Sequence, residues 1–405
     1  MHVVFFADQH LGSLGGAQVS MRLQRKFLER AGHTVTVVAP AMHGALRRTR
    51  LGAGGDAAAG DIDLPSIPVT PDREYSFTWP GARTDRFVDA AMKTRPPVDI
   101  VHVQADFWGA FIGHRFARRH GLPVVHTMHN RVDVGIRAVS PVPGLTLRAL
   151  NMWQRAALPP LPDGAVPRAA DGWSYLAGLA AGAAAVTAPS HHFARRLEVH
   201  GVYPAVDVVW NGIDDEILDE VLPAASAPGR PGRPRFIWLG RMSPEKRLLP
   251  FLEAVAHADL PVDVHVLGGG AQLRAARRLI AKRRPAASVT FGGRLPYPDT
   301  LRRIAEADAL VQTSIGFETQ GMTPFEAASL GTPSVISDPD IAAELGSGFW
   351  AVPDGSVPAL AETLRRAAAD IAAGTPVAVD PRVREEFRQS SRTEAMLRIY
   401  ERVRA

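Results

Sequence analysis

Cysteine is absent from this 405-residue sequence. Its absence excludes disulfide bonds, zinc sites with thiolate ligands and a cysteine nucleophile. Long apolar runs are also missing, because none reaches the roughly 18 residues that a membrane-spanning helix needs, and the stretch 176–188 is broken by glycines. The chain enters an apolar segment, Val3–Phe6, without the basic residues of a signal peptide. We therefore expect a cytoplasmic protein with no transmembrane segment.

Lysine is scarce, since Lys26, Lys93, Lys246 and Lys282 are the only four. A lysine at a motif position is therefore more informative here than usual. The net charge is +5, and residues 1–212 hold 22 basic and 16 acidic side chains. Aromatic residues make up only 7% of the chain and do not alternate with basic ones. This composition disfavours a non-catalytic protein that binds nucleotides or nucleic acids.

The stretch Val311–Ile336 combines two carboxylates, a glycine-containing turn and a helix start. A short buried strand covers 308–314, and Thr323 and Pro324 predict the N-cap and first position of a helix that ends near Leu330. Glu318 then lies in the loop before the helix and Glu326 about one turn inside it. A helix N-terminus flanked by two acceptors suits a ligand with several hydroxyl groups and a negative charge. A nucleotide sugar is such a ligand.

The spacing of Glu318 and Glu326, followed by 327–333 (AASLGTP), resembles the signature of retaining GT-B glycosyltransferases of the glycogen-synthase and sucrose-synthase-like group. In that family the first glutamate contacts the hydroxyls of the donor sugar and the second holds the ribose. The resemblance therefore assigns these roles to Glu318 and Glu326, and adds Gly321, Met322 and Thr323 as donor contacts. A solvated helix face is the alternative interpretation of the two glutamates.

Two well-spaced cations follow the predicted strand 235–240. Arg241 and Lys246 suit a diphosphate, because one offers a planar fork and the other a point charge. They also match the family's diphosphate pair in Gly-Arg-x-x-x-x-Lys. Two later turns, at Gly268 and at Arg294–Leu295, correspond to donor contacts in the family, where the second turn reads the nucleobase. For each turn a purely structural role is an equal alternative.

The first half starts with a strand over 3–8, a loop over 9–16 and a helix over 17–31. Gly15 and Gly16 in that loop match the glycine loop that the family places beside the donor diphosphate and the acceptor. A dinucleotide-binding turn is disfavoured, because the glycine spacing differs and the second strand, 34–39, lacks a following acidic residue. A structural tight turn remains the other interpretation.

The helix after the glycine loop carries basic residues on one face, and two interpretations stay open: a contact with a membrane surface or a solvated outer face. The four residues are Arg22, Arg25, Lys26 and Arg30. The segment 42–85 has no clear period and predicts a long excursion with at most short strands. The segment 138–171 is consistent with a lid, an acceptor cleft or a membrane contact.

Further strands are predicted at 98–103, 123–130, 184–190 and 206–214, with a helix at 109–120. Such alternation implies a parallel sheet that binds ligands at the carboxyl ends of its strands. His129 ends one of these strands, and the family has a histidine there that contacts the donor sugar. His126 lies three residues earlier, and we favour His129. Either histidine could instead serve a structural hydrogen bond.

The resemblance implies an α/β protein of the GT-B fold, with two Rossmann-like domains, a cleft between them and a C-terminal helix that crosses back to the first domain. We expect an acceptor-binding domain at 1–220, a nucleotide-sugar-binding domain at 221–385 and the returning helix at 386–405. A linker by composition, 224–234, separates two α/β series. The last helix is predicted over 382–405.

The resemblance also implies a metal-independent transfer of a hexose, with retention, from a UDP-sugar or GDP-sugar that acts as co-substrate, and no cofactor. Arg241, Lys246 and the amides of Gly15 and Gly16 would stabilise the leaving diphosphate, while His129 and Glu318 would contact the sugar. We interpret Asp61, Asp63, Asp338 and Asp340 as loop acids rather than metal ligands.

The sequence 318–323 (ETQGMT) resembles in particular the version of this motif in bacterial diacylglycerol glycosyltransferases. This favours a lipid acceptor, diacylglycerol or a phospholipid, and a peripheral position on the inner face of the plasma membrane. A soluble small molecule or a polysaccharide precursor is the alternative acceptor.

Overall fold

The computed structural model describes residues 1–13, 15–43, 60–70, 73, 75–158, 170–225 and 232–405. These residues form two compact units. The first contains Met1–Gly212 together with Arg392–Ala405, and the second contains Ile213–Ser391. Most of the predicted linker, 226–231, and parts of the segments 42–85 and 138–171 lie outside the described residues.

The first unit is built on a seven-stranded sheet in the order β3-β2-β1-β6-β7-β8-β9, in which every pairing is parallel. A separate antiparallel pair, β4 and β5, stands beside it. The strands are β1 (His2–Ala7), β2 (Thr34–Pro40), β3 (Ile62–Leu64), β4 (Ile67–Pro68), β5 (Ser76–Phe77), β6 (Ile100–Gln104), β7 (Val124–Thr127), β8 (Ala185–Ala188) and β9 (Asp207–Val208). Most predicted strands are confirmed, but 206–214 contributes only the two residues of β9.

Helices cover both faces of this sheet. They are α1 (Gly16–Arg30), α2 (Ala82–Met92), α3 (Trp108–His120), α4 (Val132–Val139), α5 (Pro143–Ala157), α6 (Gly172–Ala180) and α7 (His191–Val199). Alternate residues of β1 enter two different cores, because successive strand side chains point to opposite faces. Val4 and Phe6 belong to one core, and Val3 and Phe5 to the other. All four are fully buried, as expected for a parallel strand covered on both sides.

The second unit contains a six-stranded parallel sheet in the order β12-β11-β10-β13-β14-β15. Its strands are β10 (Arg235–Arg241), β11 (Asp263–Gly269), β12 (Ser288–Gly293), β13 (Ala309–Gln312), β14 (Ser334–Ile336) and β15 (Phe349–Ala351). Its helices are α8 (Asp215–Ala225), α9 (Leu248–Ala258), α10 (Leu273–Arg283), α11 (Tyr297–Ala305), α12 (Met322–Ser329), α13 (Pro339–Leu345), α14 (Val357–Ala372) and α15 (Arg382–Phe387). Both units thus have the predicted α/β organisation.

The final helix, α16 (Gln389–Arg404), packs its apolar side on the first unit. Met396 and Tyr400 are buried in the core that contains Val3 and Phe5. The prediction of one helix over 382–405 is wrong, because the chain leaves the helical conformation at Arg388. There the backbone pairs with Ile213, whose carbonyl accepts from the N–H of Gln389 at 2.8 Å. Two helices, α15 and α16, result.

None of the helices within the described ranges combines the length and the apolar character needed to cross a membrane.

Candidate functional site

Lys246 and Glu318 lie together in the second unit, although 72 residues separate them in sequence. Lys246 ends a 3₁₀ turn, Pro244–Lys246, that follows β10, and its Nζ forms an ion pair with Oε1 of Glu318. Both side chains are mostly buried, with 22% and 16% of their surface exposed. Arg241, the other predicted diphosphate ligand, is 70% exposed and contacts Glu245 at 3.4 Å. Both predicted cations thus contact a carboxylate, but Lys246 is mostly buried and Arg241 is mostly exposed.

A chain of hydrogen bonds fixes the backbone of Lys246. The Thr313 hydroxyl donates to the Lys246 carbonyl at 2.7 Å and accepts from Nε1 of Trp238 at 2.9 Å. Trp238 lies on β10, and Thr313 follows β13, so the two neighbouring strands determine where Lys246 stands. Sequence reasoning missed Thr313, and its position directly after a buried strand was the signal that could have found it.

Gly268 allows β10 and β11 to approach each other where the two strands end. Its φ is +116°, and a Cβ at this position would lie 2.0 Å from the carbonyl oxygen of Gly240. A second contact between the ends of the two strands is at Gly269, whose carbonyl accepts from the N–H of Met242 at 2.8 Å. Gly268 thus has a structural role, and its predicted contact with the donor stays a prediction.

Arg294 and Leu295 follow β12 and are exposed to solvent. The Arg294 side chain passes close to the backbone of Gly269, because a Cβ on that glycine would lie 3.4 Å from the arginine Nε. The predicted nucleobase turn is therefore next to the Gly268 turn.

The helix that carries Glu326 starts earlier than predicted. Gly321, and not Thr323, occupies the N-cap, because Gly321 adopts a left-handed conformation with φ of 75° and Met322 opens α12. A side chain at 321 would clash with Ile341, whose Cδ1 would lie 2.7 Å from the Cβ. Met322 and Thr323 thus form the first turn of α12, and the N–H groups of a first helical turn have no partner within their helix. Glu318 lies just before this turn, as predicted.

Glu326 is buried, with 5% of its surface exposed, and its Oε1 accepts a hydrogen bond of 2.8 Å from the Tyr297 hydroxyl. Burial raises the pKa of Glu326 to about 7, although the hydrogen bond from Tyr297 opposes this change. Burial, Glu326 and Asp214 together raise the pKa of Tyr297 well above its usual value, so the hydroxyl stays a donor. Sequence reasoning missed Tyr297, and no local pattern marks it.

Asp338 serves its own backbone. Its Oδ1 accepts from the N–H of Asp340 at 2.9 Å at the start of α13, and its Oδ2 accepts from the N–H of Gly316 at 2.7 Å. In the first unit Asp61 pairs with Arg25 at 2.7 Å. Both aspartates are thus engaged in structural contacts, and the described residues contain no group of three or more His, Asp or Glu side chains arranged to hold a metal ion.

Gly15 and Gly16 are exposed at the start of α1, where Gly15 is the N-cap. The Gly15 carbonyl accepts from the N–H of Val19 at 3.1 Å. No side chain caps this end of the helix. The preceding residue, 14, lies outside the described residues. The predicted contact of these two glycines with a diphosphate stays a prediction.

His129 stands just beyond the end of β7 and contacts Gln104, which is itself bonded to Gln24. Its Nε2 lies 3.3 Å from Oε1 of Gln104, whose Nε2 donates to Oε1 of Gln24 at 2.6 Å. Because Gln104 uses its oxygen toward His129, the histidine carries its proton on Nε2 and presents Nδ1 as an acceptor. Burial lowers the pKa of His129 to about 4, so the ring is neutral at pH 7. Gln24 lies on α1, which connects the histidine to the helix after the glycine loop.

His126 is fully buried, and both of its ring nitrogens are used within the protein. Its Nε2 donates to the carbonyl of Ala105 at 2.8 Å, and its Nδ1 accepts from Nε2 of His114 at 3.0 Å. This arrangement gives His126 a structural role. Of the two histidines, only His129 is partly exposed at the carboxyl edge of the sheet.

Two aspartates that sequence reasoning missed support the His129 loop. Oδ2 of Asp106 accepts from the backbone N–H of His129 at 3.1 Å and from the Asn130 side chain at 2.7 Å. The carboxylate of Asp8 in turn accepts from three backbone N–H groups between 106 and 109. Burial raises the pKa of Asp8 to about 6, and burial together with Asp8 raises that of Asp106 to about 7. The acidic type of both residues at strand ends was the available signal.

The basic face predicted on α1 is only partly a surface. Arg25 is buried, with 8% of its surface exposed, and it pairs with Asp61 and with Glu29 at 3.0 Å. The cationic groups of Lys26 and Arg30 lie over the Phe27 ring, at 5.7 and 5.3 Å from its centre. Arg25 therefore belongs to the interior, and neither a membrane contact nor a solvated face includes all four basic residues.

Two family models match this chain, one over most of each unit. Residues 14–217 match the model of Glycosyltransferase Family 4, and residues 225–376 match that of Glycosyl transferases group 1. Over 349 residues the chain is 24% identical to the alpha-monoglucosyldiacylglycerol synthase of Streptococcus pneumoniae. The aligned region covers 83% of this chain and 70% of that protein.

Solved structures show the same architecture. Anabaena Alr3699/HepE in complex with UDP matches with a TM-score of 0.69 and 16% identity, over 99% of this chain and all of that one. The sucrose-phosphate synthase of Thermosynechococcus elongatus matches with a TM-score of 0.69 and 17% identity, over 99% of this chain and 98% of that one. These likenesses, with the two parallel sheets, confirm the predicted GT-B fold.

Proposed function

This chain belongs to the glycosyltransferases of family 4 and group 1, and from that membership we propose that it moves a hexose from a UDP-sugar to a hydroxyl of a membrane lipid, with retention at the anomeric carbon. The observation that carries the proposal is the cluster in the second unit, where Lys246 meets Glu318 directly before the N-terminus of α12. The UDP in the HepE complex supports the choice of nucleotide. The name of the pneumococcal relative, a synthase of a glucosyldiacylglycerol, supports the lipid acceptor.

In this proposal Lys246 and Arg241 bind the diphosphate. The ion pair between Lys246 and Glu318 holds both side chains in place before the donor arrives. A diphosphate offers Lys246 more negative charge than one carboxylate, so the donor draws the ammonium group toward its phosphate oxygens. Glu318 is then released to accept hydrogen bonds from the sugar hydroxyls, and the first-turn N–H groups of Met322 and Thr323 add partial positive charge.

The departure of UDP places negative charge on the diphosphate in the transition state. Fixed cations that face this charge lower the barrier without having to reorganise. Lys246 is suited to this task because Thr313 and Trp238 fix its backbone. In the first unit, the neutral His129 offers Nδ1 as an acceptor for a sugar hydroxyl. The residues thus supply positioning and electrostatic stabilisation.

The test of the proposed function is transfer from UDP-glucose to diacylglycerol in mixed vesicles, with the anomeric configuration of the product read by proton NMR. We expect a glucosyl lipid whose new linkage is α, since the donor is an α-glycoside. A β-linked product would contradict retention. Transfer only to water-soluble acceptors would contradict the lipid acceptor, and a labelled donor that stays intact with every acceptor tried would contradict the whole proposal.

The affinity for UDP-glucose should fall as the pH falls through 7, because ribose hydroxyls need the ionised form of Glu326 as their acceptor. Burial raises the pKa of this carboxyl to about 7, so its acid form dominates below that pH. Between pH 8 and pH 6 we expect a loss of about tenfold in affinity, which follows from one competing proton. Isothermal titration calorimetry with intact UDP-glucose measures this affinity. The outer phosphate of UDP-glucose is esterified by the sugar, so it does not titrate between pH 6 and 8.

Two variants test whether Glu326 is the group that causes this pH dependence. Glu326→Gln should bind UDP-glucose more weakly and with no slope between pH 6 and 8. Tyr297→Phe removes the hydrogen bond that lowers the pKa of Glu326, so the midpoint should move to higher pH. A slope that persists in Glu326→Gln would show that another group titrates.

A further inference from the structure

Exposed large apolar side chains are concentrated in one part of the first unit. Among the described side chains between residues 67 and 152, those with 40% or more of their surface exposed are Ile67 (64%), Val69 (57%), Trp79 (67%), Phe87 (40%), Val142 (54%), Leu145 (66%) and Met152 (69%). Elsewhere in the described ranges, Val199, Leu295 and Ile315 are the only other large apolar side chains with 36% or more of their surface exposed. Single exposed apolar residues are ordinary, but a contiguous group of them marks an interaction surface.

The exposed residues of the β4–β5 hairpin and of α5 adjoin each other through a group of aromatic rings. The centre of the Trp153 ring, on α5, lies 5.9 Å from that of Phe77 and 5.9 Å from that of Trp79. Phe77 pairs across the hairpin with Ile67. Val69 follows Ile67 by two residues, a spacing that keeps both on one side of a strand. The hairpin and the helix therefore build one surface.

We call this surface the hairpin–helix face and define it by Ile67, Val69, Trp79, Leu145 and Met152. These side chains protrude with more than half of their area in solvent. Protruding side chains suit insertion into a soft layer better than they suit the enclosure of a small ligand, which needs a concave site.

Arginines stand among the apolar residues of α5. Leu145, Arg148, Met152 and Arg155 follow a spacing of three, four and three residues, which places them on one side of a helix, and all four are exposed. No acidic residue occurs in the sequence 143–157. An exposed helix side that carries large apolar groups and only positive charge complements an anionic bilayer surface. The arginines meet lipid phosphates, while the leucine and methionine enter the acyl boundary.

We propose that the hairpin–helix face rests on the surface of an anionic phospholipid bilayer. This inference rests on the proposed lipid acceptor and adds to it the part of the chain that meets the membrane. Trp79 supports the choice of a bilayer, because indole rings favour the interface between lipid and water. The face lies in the first unit, which is the unit expected to bind the acceptor.

A second stretch rich in positive charge lies in the other unit, on and around α10. Residues 264–298 hold seven basic residues and no acidic one. The large apolar residues of α10, however, are only partly exposed and pack against the core of the second unit: Leu273, Leu279 and Ile280. The α10 helix therefore offers charge without apolar groups that could insert, and it supplies a matched control for purely electrostatic attraction.

The test is co-flotation of the whole protein with vesicles of phosphatidylcholine, with and without phosphatidylglycerol. The apolar variant is Leu145→Ser with Met152→Ser, and its control is Val199→Ser, an 83% exposed residue of α7 in the same unit. The charge variant is Arg148→Ser with Arg155→Ser, and its control on α10 is Arg278→Ser with Arg283→Ser. All are exposed sites, so each variant should keep the thermal midpoint of the wild type.

We expect the wild type to float with the anionic vesicles. Each variant of the face should lower the partition coefficient about tenfold or more, the effect of removing a few buried methylene groups or two charges. Both controls should stay within about twofold of the wild type. Equal losses in the α10 variant, or unchanged flotation of the apolar variant, would overturn the proposal. So would a wild type that does not float and whose mass in light scattering is that of a dimer, because the face would then cover a second copy.

Two further measurements separate this proposal from the proposed function. The variants of the face should transfer glucose to detergent-dispersed diacylglycerol at the wild-type rate, because the donor residues are untouched. A wild type that floats through this face but transfers no sugar would support the surface and contradict the enzyme assignment. A wild type that transfers glucose to dispersed lipid without floating would support the enzyme assignment and contradict the proposed membrane surface.

Discussion

Replacement of Lys246 by alanine is expected to lower kcat/KM for transfer from UDP-glucose about a thousandfold, because removal of a fixed charge at a developing anion costs this much in comparable sites. Lys246 is held by Thr313 through its backbone and by Glu318 through its side chain. The variant should fold normally, because the hydrogen bonds that fix this segment involve the backbone carbonyl of residue 246 and are retained. Steady-state rates with varied UDP-glucose measure the effect.

Lys282 provides the matched control for this prediction. It is an exposed lysine of the same unit, on α10, and Lys282→Ala should leave kcat/KM within about twofold, as expected for a surface change away from the site. Lys246→Arg should recover part of the activity, because it restores the charge but not the point geometry of an ammonium group. Equal activity of Lys246→Ala and Lys282→Ala would remove Lys246 from the mechanism.

Replacement of Gly268 by alanine should lower the stability of the second unit by about 3 kcal/mol, which is large for a single methyl group. The added Cβ would lie 2.0 Å from the Gly240 carbonyl oxygen, and φ is +116°. Relief of that contact requires β10 and β11 to separate where Arg241 and the loop to Lys246 begin. The free energy of unfolding in urea, followed by tryptophan fluorescence, measures the loss.

Gly331→Ala separates the clash from the backbone conformation. Gly331 also has a positive φ, +81°, but no atom lies within 4 Å of the position that a Cβ would take. Only the cost of the left-handed conformation applies, which is about 1 kcal/mol. If both variants lose the same free energy, the close approach of the two strand ends contributes nothing.

The sequence alone predicted Lys246, Glu318 and Glu326 as donor-binding residues, because their types and spacing are local. Glu318 and Glu326 share one stretch with the helix start, and Lys246 stands out in a chain with four lysines. The strands of both units were predictable for the same reason, since a parallel strand buried on both faces is a short apolar run. The start of α12 was two residues off, because the sequence did not reveal that Gly321 takes the left-handed conformation.

Other residues depend on contacts between distant segments, which no local pattern reveals. Tyr297 meets Glu326 only because α11 and α12 pack together, and Asp106 supports His129 across two strands. Arg25 has the sequence context of a surface residue, yet Asp61 draws it inside. The break at Arg388 likewise arises from a backbone pairing with Ile213, far away in the chain. Three-dimensional packing, and not sequence periodicity, decides each of these cases.

The central claim is that the second unit binds a nucleoside diphosphate through the pair of Lys246 and Glu318 and through Glu326 on α12. The most direct measurement is the thermal shift of the purified protein with UDP, GDP and ADP, repeated with Lys246→Ala and Glu326→Ala. We predict a rise in the midpoint with UDP that both substitutions abolish, since a ligand that binds only the folded state stabilises it. The absence of a shift with all three nucleotides, or a UDP shift that both variants retain, would contradict the account.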